Sequence, residues 1–293
     1  MCSRSCGRRL GLALLPEAPA APSPLVIDAL ERLVCAVLPT ARRQHAAPHR
    51  ATSRPWPPPE APWLMAQTWE ELLFAHWAVP PEQLRPALPP GLSLDVRDGA
   101  AWIGVTPFRV RGLRLRGTPP VPGLSRFAEL NVRTYVTAGA RPGIWFFSLD
   151  AARRAAVLAA RRGYRLPYFH ARMRVARRGG WIEYASDRRD SAGAPASLRA
   201  RYGPAGPVRR PAAGTLEHFL TERYCLYAVH PRRGLLRAEI AHEPWPLQPA
   251  EATLRHNTMA APLGLALEER PLLHYARRLD VVIWPPQTLD SPR

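Results

Sequence analysis

Between residues 92 and 284 the chain repeatedly doubles back. Stretches in which apolar and polar residues alternate are separated by turn dipeptides such as Asp98-Gly99 and Gly179-Gly180. Alternation with a period of two marks strands with two different faces, and Asp-Gly or Gly-Gly supplies the positive φ that a tight hairpin needs. Four hairpins are expected: 92–96 with 101–108, 128–137 with 143–149, 168–175 with 181–185, and 224–230 with 235–242. Residues 198–202 and 272–284 add two strands. Helices are expected at 80–84, 151–162, 215–221 (with Thr215 as N-cap) and 249–255. The fold class is therefore α+β, predominantly antiparallel β. Its strands are numerous enough to curl into a barrel or double sheet, which removes exposed edges, with a few covering helices.

The texture changes near residue 62. Residues 1–61 are rich in Ala, Pro and Arg, hold one apolar helix-like stretch at 25–38, and end in Pro55-Trp56-Pro57-Pro58-Pro59. Such a composition predicts a disordered extension, and a start assigned too far upstream accounts for it equally well. Residues 62–288 read as a single domain and 289–293 as a tail. Arg8-Arg9 precedes an apolar run too short for an export signal, and no stretch reaches the length of a membrane span, so a cytoplasmic location is expected. Cys2, Cys6, Cys35 and Cys225 form no CxxC pair, which agrees with a reducing compartment.

Two strands carry unusual polar faces. In 129–136 one face presents Glu129, Asn131, Arg133 and Tyr135, and the other Leu130, Val132, Thr134 and Val136. In 168–175 one face presents Tyr168, His170, Arg172 and Arg174. A sheet with one wet face accounts for this pattern. So does a barrel whose polar residues line a cavity. An acid, a cation, two phenols and an imidazole combine aromatic bulk with hydrogen-bonding tips, which favours the cavity. The candidate ligand-binding residues are thus Glu129, Arg133, Tyr135, Phe146, Tyr168 and His170, with His170 and Glu129 as candidate general acid/base groups.

Several motifs make the chain recognisable: Leu72-Leu73-Phe74-Ala75-His76-Trp77, Leu88-Pro89-Pro90-Gly91-Leu92, Glu129-Leu130-Asn131-Val132-Arg133-Thr134-Tyr135, Trp145-Phe146-Phe147-Ser148-Leu149-Asp150, Leu166-Pro167-Tyr168-Phe169-His170-Ala171 and Pro244-Trp245-Pro246-Leu247. Over about residues 62–287 the chain resembles the YqjF-like family of uncharacterised bacterial proteins and, more distantly, the acetoacetate decarboxylase superfamily. The resemblance implies a curled antiparallel β-barrel with a cavity. In decarboxylases of that superfamily a Schiff-base lysine follows a proline. The matching stretch here is Arg165-Leu166-Pro167-Tyr168-Phe169, so the resemblance puts Tyr168 at the lysine's place and Glu129 at that of a strand glutamate.

This chain contains no lysine. All 41 basic residues are arginine, against 23 carboxylates, for a formal charge of +18. Arginine does not lose its proton, so iminium-based decarboxylation is excluded. The arginines are dispersed in pairs without interleaved stacking aromatics, which argues against a specific nucleic-acid reader and leaves salt-sensitive, nonspecific attraction to anionic surfaces as the weakest of three functions. The leading reading is a barrel that binds a partly apolar acid or carbonyl compound, with enzyme status open. A non-catalytic binding or regulatory module is the alternative. No dinucleotide, Walker, GxSxG or metal-ligand motif occurs, so no cofactor and no metal is expected. The sequence leaves the oligomeric state open.

Overall fold

The computed structural model describes residues 23–289. The chain enters through three helices, α1 (Pro24–Val37), α2 (Pro39–His45) and α3 (Ala47–Arg50). Strand β1 (Met65–Val79), helix α4 (Pro81–Leu84), and strands β2 (Ser93–Leu94), β3 (Ala101–Leu115), β4 (Phe127–Ala138) and β5 (Arg141–Ala151) follow. Helix α5 (Arg154–Gly163) leads to β6 (Tyr168–Arg178), β7 (Trp181–Arg188) and β8 (Ser197–Pro204). Helix α6 (Leu216–Thr221) leads to β9 (Cys225–His230), β10 (Gly234–His242), β11 (Leu247–Asn257), β12 (Leu272–Ile283) and β13 (Gln287–Thr288).

These strands form one curled mixed sheet that closes twice. The pairings β10–β9–β5–β4–β3–β1–β12 return to β10 and complete a first ring. The pairings β5–β6–β7–β8–β11–β12 return through β1, β3 and β4 to β5 and complete a second. The strands β12, β1, β3, β4 and β5 are thus a shared wall with a core on each side. On β1, Leu72 and Phe74 join the first core, whereas Leu73, Ala75 and Trp77 join the second. A strand buried on both faces has no polar alternation, which is why β1 does not announce itself as a strand in the sequence. Each fully buried Leu or Phe on this wall contributes about 1.5–3 kcal/mol relative to exposure.

Most of the expected hairpins are present, as are the Thr215 cap, which accepts from the His218 N–H at 3.3 Å, and the helix at α5. Three expectations need correction. Residues 249–255 are not a helix but part of β11, paired with β8; Ala250, Ala252 and Leu254 pack against the second core at a spacing of two, and this outweighs the helical preference of Ala and Glu. Residues 92–96 do not pair with β3. Ser93 and Leu94 add to the edge of β4 instead, opposite Thr137 and Val136.

The third correction concerns the N-terminal segment. Residues 1–22 lie outside the described residues, but from Ser23 onward the chain is folded onto the barrel rather than disordered. Beside the apolar contacts of Ala47 and Trp56, its anchors are buried polar groups, which a hydrophobicity-based reading overlooks. The buried Glu31 carboxylate accepts from both terminal nitrogens of Arg114 at 2.7 and 2.9 Å, and the Gln44 side chain accepts from Arg114 Nε at 2.8 Å. Arg54 donates to Glu239, whose other contacts are Trp56, Arg141 and Arg237. Among the described residues no helix is long and apolar enough to cross a membrane.

Candidate functional site

The first ring encloses a cavity of about 480 Å³. The register of β3 against β4 gives its depth. On β4, Phe127, Glu129, Asn131 and Arg133 line it at every second position. Opposite them on β3 stand Phe108 (facing Glu129), Thr106 (facing Asn131) and Gly104 (facing Arg133). Exposure orders the levels. Leu115 and Leu124, at the rim, are 52% and 49% exposed, while Thr106, Asn131 and Arg133 are at 0%, 5% and 5%. The cavity therefore has an apolar mouth beside α5 and the segment between β3 and β4, and a polar floor near α6.

Arg133 dominates the floor. Its guanidinium lies over the rings of Phe74 and Tyr135 at 5.0 and 5.7 Å. Among the described residues no carboxylate pairs with it, and its Nε has no hydrogen-bond partner. A buried cation without a counter-charge is very costly, so an anion that reaches it is strongly favoured. Gly104 makes room for it. A Cβ there would lie 3.0 Å from His76 Cδ2 and 3.4 Å from Arg133 Cγ, so any larger residue would push on both side chains. Around Arg133 further lining groups lack partners: Thr106 Oγ1, Asn131 Oδ1 and Trp245 Nε1. A second floor arginine, Arg223, is already engaged with Asp95 and with the Phe219 carbonyl.

Halfway up, the buried Tyr168 hydroxyl donates to Glu129 Oε2 at 3.1 Å. Desolvation pushes the Glu129 carboxyl up to about 8, and the bond from Tyr168 offsets only part of this. Glu129 is consequently mostly neutral at pH 7, and the charge of the cavity is set by arginine. Burial and the neighbouring Glu129 also raise the Tyr168 phenol.

Four of the six expected ligand residues line this one cavity: Glu129, Arg133, Phe146 and Tyr168. Tyr135 does not. A register irregularity in the β4–β5 pairing falls between Val132 and Arg133. Beyond it the Tyr135 hydroxyl is taken by His76 Nε2 at 2.6 Å, while its ring packs on Phe219. Tyr135 and His76 thus form a buried layer behind the floor, where desolvation holds the His76 imidazole well below its usual range. His170 is also outside. β6 pairs with β5 only from Tyr168 to His170 and then departs into the second ring, so residues from His170 onward turn away from the cavity. The His170 main-chain N–H donates to Asp190 at 3.1 Å.

Sequence reasoning did not single out Thr106, Tyr164 or His242, which line the cavity too. Their signal is weak, because a lone threonine, tyrosine or histidine in an apolar strand or helix end is most simply a packed core residue. Trp245 is a packing anchor of the cavity wall: it stacks on Trp69 at 5.9 Å and meets Phe74 edge-on at 4.7 Å. Outside the cavity, Glu31, Cys35 and His45 bring ligand-type atoms together, but the carboxylate is already committed to Arg114.

Comparison with known proteins agrees with this architecture. Residues 66–280 match the DUF2071 family, described as an uncharacterized conserved protein. The chain is 45% identical over 228 residues to the uncharacterized protein YqjF of Bacillus subtilis, covering 78% of this chain and 93% of that protein. Among solved structures, the enduracididine biosynthesis enzyme MppR complexed with pyruvate superposes with a TM-score of 0.54 at 14% identity, over 78% of this chain and 90% of that one. Acetoacetate decarboxylase from Legionella pneumophila superposes with a TM-score of 0.52 at 13% identity, over 83% and 95%. At such identities the likeness is one of fold.

Proposed function

This chain belongs to the DUF2071 family, and on that footing we propose that it binds a small carboxylic acid, or a carboxyl-bearing carbonyl compound, inside its first barrel. One observation carries the reading: the buried Arg133 guanidinium faces the cavity with no carboxylate of the described chain to neutralise it. A solved protein of similar fold holds pyruvate, which matches the size and charge class proposed. The apolar walls accept the rest of the molecule, and a pocket of this size suits a small ligand.

The chemistry open to this site is proton transfer. Glu129, neutral near pH 7 and held by Tyr168, can hand a proton to a carbonyl oxygen or an adjacent carbon and take it back. A lysine iminium is closed to a chain without lysine. The same Arg133 anchor serves binding without turnover, and it is the raised Glu129 that favours catalysis. Calorimetric titration with pyruvate, acetoacetate and longer acids, each against its primary amide, tests the reading. Acids should bind and amides should not, and Arg133→Met should lose the difference. Equal binding of acid and amide would sink it. Product analysis of each bound acid then separates enzyme from binding module.

A further inference from the structure

The cavity is long and unevenly furnished, and this narrows the ligand. From Arg133 to Phe127 the lining face of β4 spans six residue steps, about 20 Å of extended chain. All the unpartnered floor groups lie at the Arg133 end, where Thr106 and Asn131 face each other across the β3–β4 pair. Above them the walls are mainly apolar, with Phe108, Leu113, Phe127 and Leu149 as the main surfaces, interrupted by Gln67 and by the unpartnered Tyr164 hydroxyl. The polar pair between floor and rim, Glu129 and Tyr168, is bonded to itself, and burial keeps Glu129 uncharged at pH 7. A second negative charge on a ligand would have no cation to meet at that level.

The rim is the other distinctive part. Helix α5 turns small residues to the cavity. Ala156 and Ala160 are half-buried against the first core, while Ala155 and Ala159 are exposed and still line the opening. Opposite them stand the exposed Leu115 and Leu124. Small side chains on one side and leucines on the other leave an apolar slot that continues the long axis of the cavity to solvent.

We propose that the ligand is an amphipathic monocarboxylate with an unbranched apolar tail. The carboxylate sits on Arg133 beside the Thr106 hydroxyl. The tail runs past Phe108 and Phe127 and leaves between Leu115, Leu124 and the alanine face of α5. Tail length is the property the barrel selects, because each further methylene is buried until the tail reaches the rim. This inference rests on the acid-binding reading above and adds the class of acid and the residues that measure it.

Isothermal titration of the full chain with straight-chain carboxylates from butanoate to dodecanoate, each paired with its 1-alcohol, tests it. Affinity should rise about three- to fourfold per methylene and level off once the tail emerges. Ala159→Trp, at an exposed rim position, should lower the ratio of dodecanoate to butanoate affinity about tenfold or more, the effect of roughly two methylenes left unburied. Its melting temperature checks that the fold is kept. Affinity that is flat or falling with length, or a ratio untouched by Ala159→Trp, overturns the tail assignment while leaving Arg133 as the acid anchor. Carboxylates that bind no better than their alcohols, or no binding at all, overturn the acid-binding reading and this inference together.

Discussion

Tyr168 donates its phenolic proton to Glu129 across 3.1 Å inside the first barrel, joining the first residue of β6 to the inner face of β4. The two are buried together, and in this setting the glutamate favours its neutral form. Among the described residues that line the cavity, the one acid at mid-depth is therefore a proton donor at neutral pH, and this shapes both stability and chemistry.

The first consequence is a pH dependence. Glu129 titrates at about 8 when folded, against an ordinary value of 4.5. Between those limits the folded protein holds a proton that the unfolded chain has released. Stability is thus highest at the acid end of the window and falls as pH rises through it, by on the order of 5 kcal/mol in all. Asp150, pushed up to about 6 by burial, acts in the same sense lower down. Denaturant melts at about pH 6 and pH 9 should show a drop in the wild type that Glu129→Gln largely removes. Equal slopes in the two proteins would mean that Glu129 is ionised throughout.

Arg133→Met should stabilise the protein while abolishing its affinity for acids. The wild type buries a cation without a counter-charge, and an apolar side chain of similar length removes that cost, by roughly 1–4 kcal/mol on the precedent of buried charges replaced by apolar groups. A higher melting temperature together with lost carboxylate binding is the expected pair of results. A lower melting temperature would show that the guanidinium has a partner in solution.

Glu31→Ala should be strongly destabilising, since it leaves Arg114 buried without its carboxylate, at a cost of about 3–5 kcal/mol. The double variant Glu31→Ala with Arg114→Met should recover much of the loss. Truncation to a chain starting at Ala61 should likewise lower the melting temperature. An unchanged melt would show that residues 23–60 are dispensable for the fold.

Tyr168→Lys should not create an acetoacetate decarboxylase. The new amine would stand in reach of Glu129, become its ion-pair partner and stay protonated, so it would not attack a carbonyl. Borohydride in the presence of acetoacetate should trap no adduct by mass spectrometry. A trapped adduct with carbon dioxide release would show that the barrel needs only the amine.

Several features are legible in the sequence. The hairpins at β4–β5, β6–β7 and β9–β10 follow from alternation and turn residues, which are local properties. The inward face of β4 was legible for the same reason: Glu129, Asn131 and Arg133 stand two apart, and one register serves all three. Tyr135 shows where this logic stops. It has the same parity, but it stands one level deeper than Arg133, where its hydroxyl is taken by His76, a residue 59 positions away.

What the sequence determined by itself is the set of hairpin strands, with β1 and β11 missed, together with the chemistry of their faces and the exclusion of a lysine mechanism. What the tertiary structure alone decided is how the sheet closes. The short parallel pairings of β5 with β6 and with β9 complete the two rings, turn Tyr168 inward, send His170 outward and leave Arg133 facing an apolar shaft. The division has a physical cause. Period and turn chemistry are set by neighbours along the chain, whereas ring closure and burial depend on contacts such as that between Ile144 and Leu226, which become favourable only when the whole sheet has curled.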